Sequence, residues 1–305
     1  MKKSFINNIH IDVTLVQRLI IMQFPEWVDL PIQPVKSSGW DNRTFHLGEH
    51  MMVRLPSSAH YAEQVIKEQH WLPKLASQLP LPISTPLAMG KPCREYPWHW
   101  SIYKWIDGDT VTIERIQNLD QFAIALAEFL KALQRCDTTK GPLPGTHNFY
   151  RGGNLAIYAV ETQQAIKILD NKIDTTAAID VWNTAISSTW QHQPVWVHGD
   201  IALGNLLIKN GHLSAVIDFG TLCIGDPSCD LAIAWTLFKG ESREAFYKTL
   251  DLDKYTWQRA RGWVLWKALI IAADLVGTNA VEGKQCWHII DEVLEDHSNN
   301  KNLNI

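Results

Sequence analysis

The chain has 305 residues, 46% of them hydrophobic and 20% charged, with a formal net charge of −4. That length supports two modest lobes with an ample core, and the apolar content excludes a disordered protein. The slight negative charge offers no general attraction to nucleic acid or acidic membranes. Cys93, Cys136, Cys223, Cys229 and Cys286 are odd in number and form no C-x-x-C pair. Reduced thiols fit that pattern better than a disulfide framework or a structural zinc site. Lys2 and Lys3 open the chain as in a signal peptide, but Asn7, Asn8, His10 and Asp12 interrupt any apolar run behind them. The longest apolar candidate for a membrane span, Val264 to Val276, carries Lys267 and Asp274. The expectation is a cytoplasmic protein with neither a membrane nor a nucleic-acid partner.

Residues 11–24 carry a helical apolar period that Pro25 closes. Val35 to Trp40, Thr44 to Leu47 and Met51 to Leu55 read as a three-stranded antiparallel meander, with turns at Asp41-Asn42 and Gly48-Glu49. A helix is expected over 60–76, with Val65, Ile66, Leu72 and Leu75 on one side and a break or kink at Pro73. Ala88-Met89 and Trp98 to Trp105 read as two more strands. The first ~105 residues thus predict a five-stranded antiparallel sheet with one inserted helix. Beyond Ile106 to Asp109 the pattern turns helical, over 119–135, 154–169, 175–190, 228–238, 242–249, 255–276 and 284–296. A loop over 138–153 and one β-segment, Val195 to Phe219, interrupt these helices. The expected fold class is α+β, a β-rich lobe over 1–105 and a mainly helical lobe over 106–305, hinged at about 103–108.

The β-segment carries the chemistry. Val195-Trp196-Val197-His198-Gly199-Asp200 is an apolar run that ends in a carboxylate. Asn210-Gly211, between Leu206 to Lys209 and Leu213 to Ile217, is the strongest hairpin signal in the chain. Such a hairpin brings Asn205, at its start, near Asp218, at its end, with Asp200 just before. Amide and carboxylate oxygens are hard ligands suited to Mg²⁺. A carboxylate not held by metal can accept a hydroxyl proton.

His198-Gly199-Asp200 followed by Asn205, with Asp218-Phe219-Gly220 beyond, resembles the catalytic and metal-binding loops of protein-kinase-like enzymes. With Gly after the His, and with Gly225-Asp226-Pro227-Ser228-Cys229-Asp230, it resembles the aminoglycoside phosphotransferase family across nearly the whole chain. The resemblance implies a two-lobed protein-kinase-like fold and transfer of the γ-phosphate of Mg-bound ATP or GTP to an alcohol. It implies Asp200 as catalytic base, Asn205 and Asp218 as Mg²⁺ ligands, and Asp230 as a brace of the catalytic loop. His198 is expected to hold that loop by hydrogen bonds, because phosphoryl transfer needs positioning and charge neutralisation rather than a histidine base.

No G-x-G-x-x-G is present. The Ser37 to Asn42 turn, with Ser38, takes the place of a phosphate-covering loop. Arg54 stands where the family usually has a nucleotide-binding lysine, and Glu68 matches its acidic partner, with Glu63 as fallback. Arg keeps the charge but presents a planar fork instead of a point charge. Tyr103 to Ile106, including Trp105, matches the hinge that hydrogen-bonds the adenine through its backbone, with Val53, Leu55, Ile102, Leu207 and Ile217 as the base slot.

For the acceptor, the resemblance implies a polyhydroxylated, often cationic small molecule, an aminoglycoside-like amino sugar first. Macrolide, choline-like, homoserine-like or fructosamine-type alcohols are the alternatives, and an inactive nucleotide-binding module is a further one. Asp274, Trp235 and Trp263 are the candidate acceptor contacts. Asp291, Glu292, Glu295 and Asp296 read instead as the solvated face of an amphipathic helix. The oligomeric state, monomer or dimer, is left open.

Overall fold

The computed structural model describes residues 9–35, 41–277 and 280–302. Helix α1 (Val13–Gln23) starts where the Asp12 carboxylate accepts the Leu15 N–H. Then come strands β1 (Ile32–Pro34), β2 (Asn42–Leu47) and β3 (Met51–Pro56), helix α2 (Ala59–Ala76), and strands β4 (Pro86–Gly90) and β5 (Trp100–Lys104). They form one five-stranded antiparallel sheet, as expected from the sequence, and its strand order is β1-β2-β3-β5-β4. The first strand differs from expectation: it is Ile32–Pro34, and Asn42 already belongs to β2. Ser38 and the rest of the Lys36 to Trp40 stretch lie outside the described residues.

Alternation divides the sheet into two faces. Val53, Leu55, Trp100 and Ile102 pack against Leu15, Val16, Leu19 and Ile20 of α1. Arg54, Ser101 and Tyr103 take the opposite face, toward α2. The expected base slot is therefore corrected. Val53, Leu55 and Ile102 belong to the core under α1, because residues adjacent to Arg54 in a strand must point away from it. Helix α2 runs past Pro73 to Ala76 without a break, and Ile66 is exposed rather than on its packed side.

A two-residue strand β6 (Asp109–Thr110) leads into α3 (Leu119–Arg135). The stretch read as one helix over 154–169 is a 3₁₀ turn, Leu155–Tyr158, and then α4 (Ala159–Ile168). Helix α5 (Thr175–Ile186) precedes β7 (Val195–Val197), β8 (Leu206–Lys209), β9 (His212–Val216) and β10 (Cys223–Gly225). The last of these was not anticipated; it pairs antiparallel with β7. Residues 228–238 are mostly a 3₁₀ segment, Pro227–Ala232, followed by the single turn α6 (Ile233–Thr236). Helices α7 (Glu241–Leu250), α8 (Lys254–Ala272) and α9 (Ala280–Asn302) complete the chain.

The apolar α8 is buried on most sides, against α5, α9, α4 and the Pro227–Ala232 segment. No helix among the described residues is long and apolar enough to cross a membrane. All five cysteines are unpaired.

Candidate active site

Strand β7 ends at His198-Gly199-Asp200, and the backbone there is pinned from below. The Asp230 carboxylate accepts the His198 N–H at 2.8 Å and the Gly199 N–H at 2.7 Å. Burial pushes the Asp230 carboxyl up to about 6, against the lowering pull of His198 and of those two N–H groups. Gly199 has φ +87°, and a Cβ there would sit 2.9 Å from the Thr221 carbonyl oxygen, so the turn needs glycine. His198 is fully buried. Its Nδ1 accepts the Asp200 N–H at 3.1 Å, so its other nitrogen, Nε2, carries the proton and donates to the Ile217 carbonyl at 3.0 Å. Both ring nitrogens are engaged in holding the loop.

The hairpin forms as expected. Asn210 (φ +53°) and Gly211 (φ +80°) make the two-residue turn that twisted strands favour, joining Lys209 to His212. At its open end the Ile217 N–H donates to the Asn205 carbonyl at 2.9 Å, which sets Asn205 beside the residue preceding Asp218. The Asn205 amide Nδ2 donates to the Asp200 carbonyl (2.9 Å) and to Asp200 Oδ2 (3.0 Å). Those two bonds fix the amide plane, and among the described residues nothing donates to its Oδ1. Asp200, Asn205 and Asp218 thus come together on one loop and one hairpin.

Asp218 itself is left-handed, φ +65°, and meets the other lobe: Arg54 Nη2 donates to its Oδ1 at 2.9 Å. Arg54 Nη1 lies 3.5 Å from Glu68 Oε1, and the Tyr103 hydroxyl donates to Glu68 Oε2 at 2.5 Å. Glu68 is therefore the partner on α2, and the fallback Glu63 is exposed. Burial works against the charge on Arg54, but Asp218, Glu68 and Asp41 raise its pKa well above the ordinary value. Burial also pushes Glu68 up, while Arg54 pulls it down. At Asp218 burial pushes the carboxyl up, but the Arg54 guanidinium, together with His198 and the Gly220 N–H, holds it below its usual value. A third acid, Asp41 Oδ2, sits 3.9 Å from Arg54 Nη2; sequence reasoning read Asp41 as a turn residue and missed this contact.

The expected nucleotide contacts divide. Tyr103 turns its side chain to Glu68, and its ring stacks under Arg54 at 5.7 Å, so its side chain braces the cation. The Trp105 N–H donates to the His50 carbonyl at 2.8 Å and is not available to a base. Its ring packs on His46. Ile217 remains half-buried beside Asp218.

On the far side of Asp200 a pocket opens between the catalytic loop, the 3₁₀ segment, α8 and α9. Trp263 lines it; Asp274 and Trp235 do not. Asp274 is exposed beyond the end of α8, and Trp235 is buried against Tyr247 and Trp257. Nor are Glu292 and Asp296 a merely solvated face. Glu292 accepts from Arg243 at 2.5 Å and Asp296 from Arg261 at 2.6 Å, which ties α9 to α7 and α8. Arg151 and Lys267, not anticipated, do line the pocket. Arg151 sits in a loop without periodicity, where sequence pattern carries no signal.

A profile of the phosphotransferase enzyme family, APH, matches residues 32–263. The chain belongs to that family. The search of curated proteins returned no sequence match. Among solved structures, the GDP complex of aminoglycoside 2'-phosphotransferase-IIIa superposes with a TM-score of 0.70 at 16% identity, covering 94% of this chain and 100% of that one. The GDP and kanamycin complex of APH(2")-IIIa gives 0.69 at 17%, with 94% and 99% covered. A macrolide 2'-phosphotransferase from Brachybacterium faecium, without ligand, gives 0.61 at 15%, with 92% and 97% covered. The two-lobed kinase-like fold of these enzymes is therefore the fold of this phosphotransferase. Phosphoryl transfer is the activity that the family's description names.

Proposed function

We propose that this phosphotransferase moves the γ-phosphate of a Mg-bound nucleoside triphosphate to a hydroxyl of a small molecule held in the pocket beside Asp200. The observation that carries the reading is the pair of bonds from Asn205 to Asp200, next to an Asp218 that faces Arg54 across the lobes. In this reading Asp200 accepts the acceptor's O–H proton as that oxygen bonds to the γ-phosphorus. The bond from phosphorus to the bridging oxygen breaks, and the nucleoside diphosphate leaves. His198 and Asp230 keep the loop in register. Arg54, steadied by Glu68 and Tyr103, offers its fork to the phosphates in place of Asp218.

The donor set suits magnesium. Asn205 Oδ1 and the Asp218 carboxylate are two hard oxygens, and Mg²⁺ takes one or two protein ligands with phosphate and water as the rest. Bound there, the ion would neutralise phosphate charge. Nucleotide affinity, measured by calorimetry, is expected to fall roughly tenfold or more when Mg²⁺ is chelated. Asp218→Asn should show little of that dependence. Equal affinity with and without the metal in the unsubstituted protein contradicts the assignment.

Asp230 adds a pH dependence. As a carboxylate it accepts two loop N–H groups; once protonated, one oxygen loses that capacity. Turnover is expected to fall on the acid side of about pH 6, and Asp230→Asn should be slow at every pH with that limb removed. The stability sign is opposite, because the shift is upward. The contribution is full below the ordinary value of 3.8 and is lost as pH rises through about 6. Urea melts of the two proteins across this range check the sign.

An aminoglycoside-like amino sugar as acceptor is supported by the solved neighbours, which include complexes with kanamycin, streptomycin and gentamicin. One observation favours a second reading, a more apolar alcohol. Beside Asp200 the pocket is walled by Ile201, Leu203, Val264, Ala268, Ile271 and Ile289.

A further inference from the structure

The charges in the acceptor pocket run against a polycation. Among the described residues Asp200 is the one acid lining it, while Arg151 and Lys267 supply two positive charges. Arg151 is held with some care. It follows two left-handed residues, Phe149 (φ +54°) and Tyr150 (φ +58°). Its N–H donates to the Asn148 carbonyl at 3.1 Å. Its own carbonyl accepts Asn148 Nδ2 at 3.0 Å and the Cys223 thiol at 3.1 Å. Asn148, fully buried, also donates to the Thr221 carbonyl, and Thr221 in turn donates to His198. The backbone of Arg151 is thus fastened to the segment that holds the catalytic loop.

Its guanidinium stacks 5.5 Å from the Trp263 ring centre and 5.4 Å from that of Trp266. Stacking satisfies the face of a guanidinium but none of its N–H donors. Arg151 Nε is buried without a hydrogen-bond partner. The other arginines packed in this lobe all have carboxylates: Arg259 has Asp226 at 2.6 Å, Arg261 has Asp296 at 2.6 Å and Arg243 has Glu292 at 2.5 Å. Among the described residues, no acid pairs with Arg151. A planar fork that is positioned, partly desolvated and unpaired matches a carboxylate brought by a ligand. Lys267, exposed on the same wall, adds attraction without competing for the fork.

We infer that the acceptor is a hydroxy acid with an apolar body, its carboxylate received by Arg151 with Lys267 beside it and its hydroxyl presented to Asp200. The inference rests on the phosphotransferase reading and narrows its substrate. An amino sugar would place ammonium groups beside two cations, with Asp200 the one carboxylate among the described residues to offset them.

The test is a turnover panel with Mg-ATP and Mg-GTP. It contains aliphatic and aromatic hydroxy acids, each paired with its methyl ester, together with kanamycin. Within a pair the acid is expected to exceed the ester in kcat/KM by roughly tenfold or more, mainly through KM, and kanamycin should not be phosphorylated. Arg151→Gln should erase the acid-to-ester preference and Arg151→Lys restore part of it. Should Arg151→Gln fail to fold, Lys267→Gln, at an exposed position, is expected to reduce the same ratio. Esters or kanamycin turned over as well as the acids would overturn the inference, as would a preference that survives both substitutions. Nucleotide hydrolysis that depends on Asp200, with no panel member phosphorylated, would also overturn it while leaving the phosphotransferase reading in place. Loss of hydrolysis as well would instead count against the reading beneath it.

Discussion

Asp200→Asn is expected to lower phosphoryl transfer by about 10²- to 10⁴-fold, the range that a positioned general base contributes. The substitution isolates basicity from geometry. Asn205 Nδ2 now donates to the Asp200 carbonyl and to Oδ2, and an amide oxygen at the same place still accepts the second bond, without the carboxylate's charge. The Asp200 N–H still donates to His198 Nδ1. Loop and metal ligands should therefore remain in place, and nucleotide affinity by calorimetry should change less than about threefold, well under the ~1.4 kcal/mol that a tenfold change represents. A variant that keeps unsubstituted turnover removes Asp200 from the chemistry. One that loses nucleotide binding to the same degree as turnover makes it a structural residue.

The second large effect is expected at Arg54. Its side chain is 10% exposed and Glu68 is 4% exposed, so the pair is buried and shared with Asp218 at 32%. Arg54→Ala leaves Glu68 with the Tyr103 hydroxyl and the nearby charge of Lys67, and puts two acids, Asp218 and Asp41, near each other without the guanidinium. Breaking a buried pair from one side costs about 3–5 kcal/mol. The partial exposure of Asp218 places the expected loss toward the lower end, read as a shift of the urea midpoint. Arg54→Lys keeps the charge but gives up the fork, so one ammonium must choose between Glu68 and Asp218. A smaller stability loss, about 1–2 kcal/mol, is expected there, with nucleotide affinity retained in part. A fully stable Arg54→Ala would contradict the description of this cluster.

Much of the site was legible in the sequence because its geometry is local. Asn210-Gly211 demands a tight turn, the turn fixes the hairpin, and the hairpin sets Asn205 beside Ile217 and Asp218. Asp230 and Glu68 were legible through the family resemblance, and the structure puts each on the expected partner. What was misread depends on long-range packing. In Met51 to Leu55 nearly every residue is apolar, so composition does not say which face meets the cleft; Arg54 does, and alternation then sends Val53 and Leu55 to α1. The Trp105 N–H is taken by His50, a residue 55 positions earlier, which no local pattern announces. The acids of α9 looked like a solvated stripe because Arg243 and Arg261 come from other helices. Asp226-Pro227 does mark the start of a helical element. That it opens as 3₁₀ is fixed in the fold, where the Asp230 carboxylate reaches back to His198 and Gly199.

The central claim is transfer to an alcohol with Asp200 as the base. Incubation with Mg-ATP or Mg-GTP and a panel of hydroxyl compounds, followed by phosphorus NMR of the products, tests it most directly. A phosphate monoester on carbon-bound oxygen is predicted with the unsubstituted protein and is expected to be absent with Asp200→Asn. Phosphate found on nitrogen, or the same monoester yield from Asp200→Asn, would contradict the account.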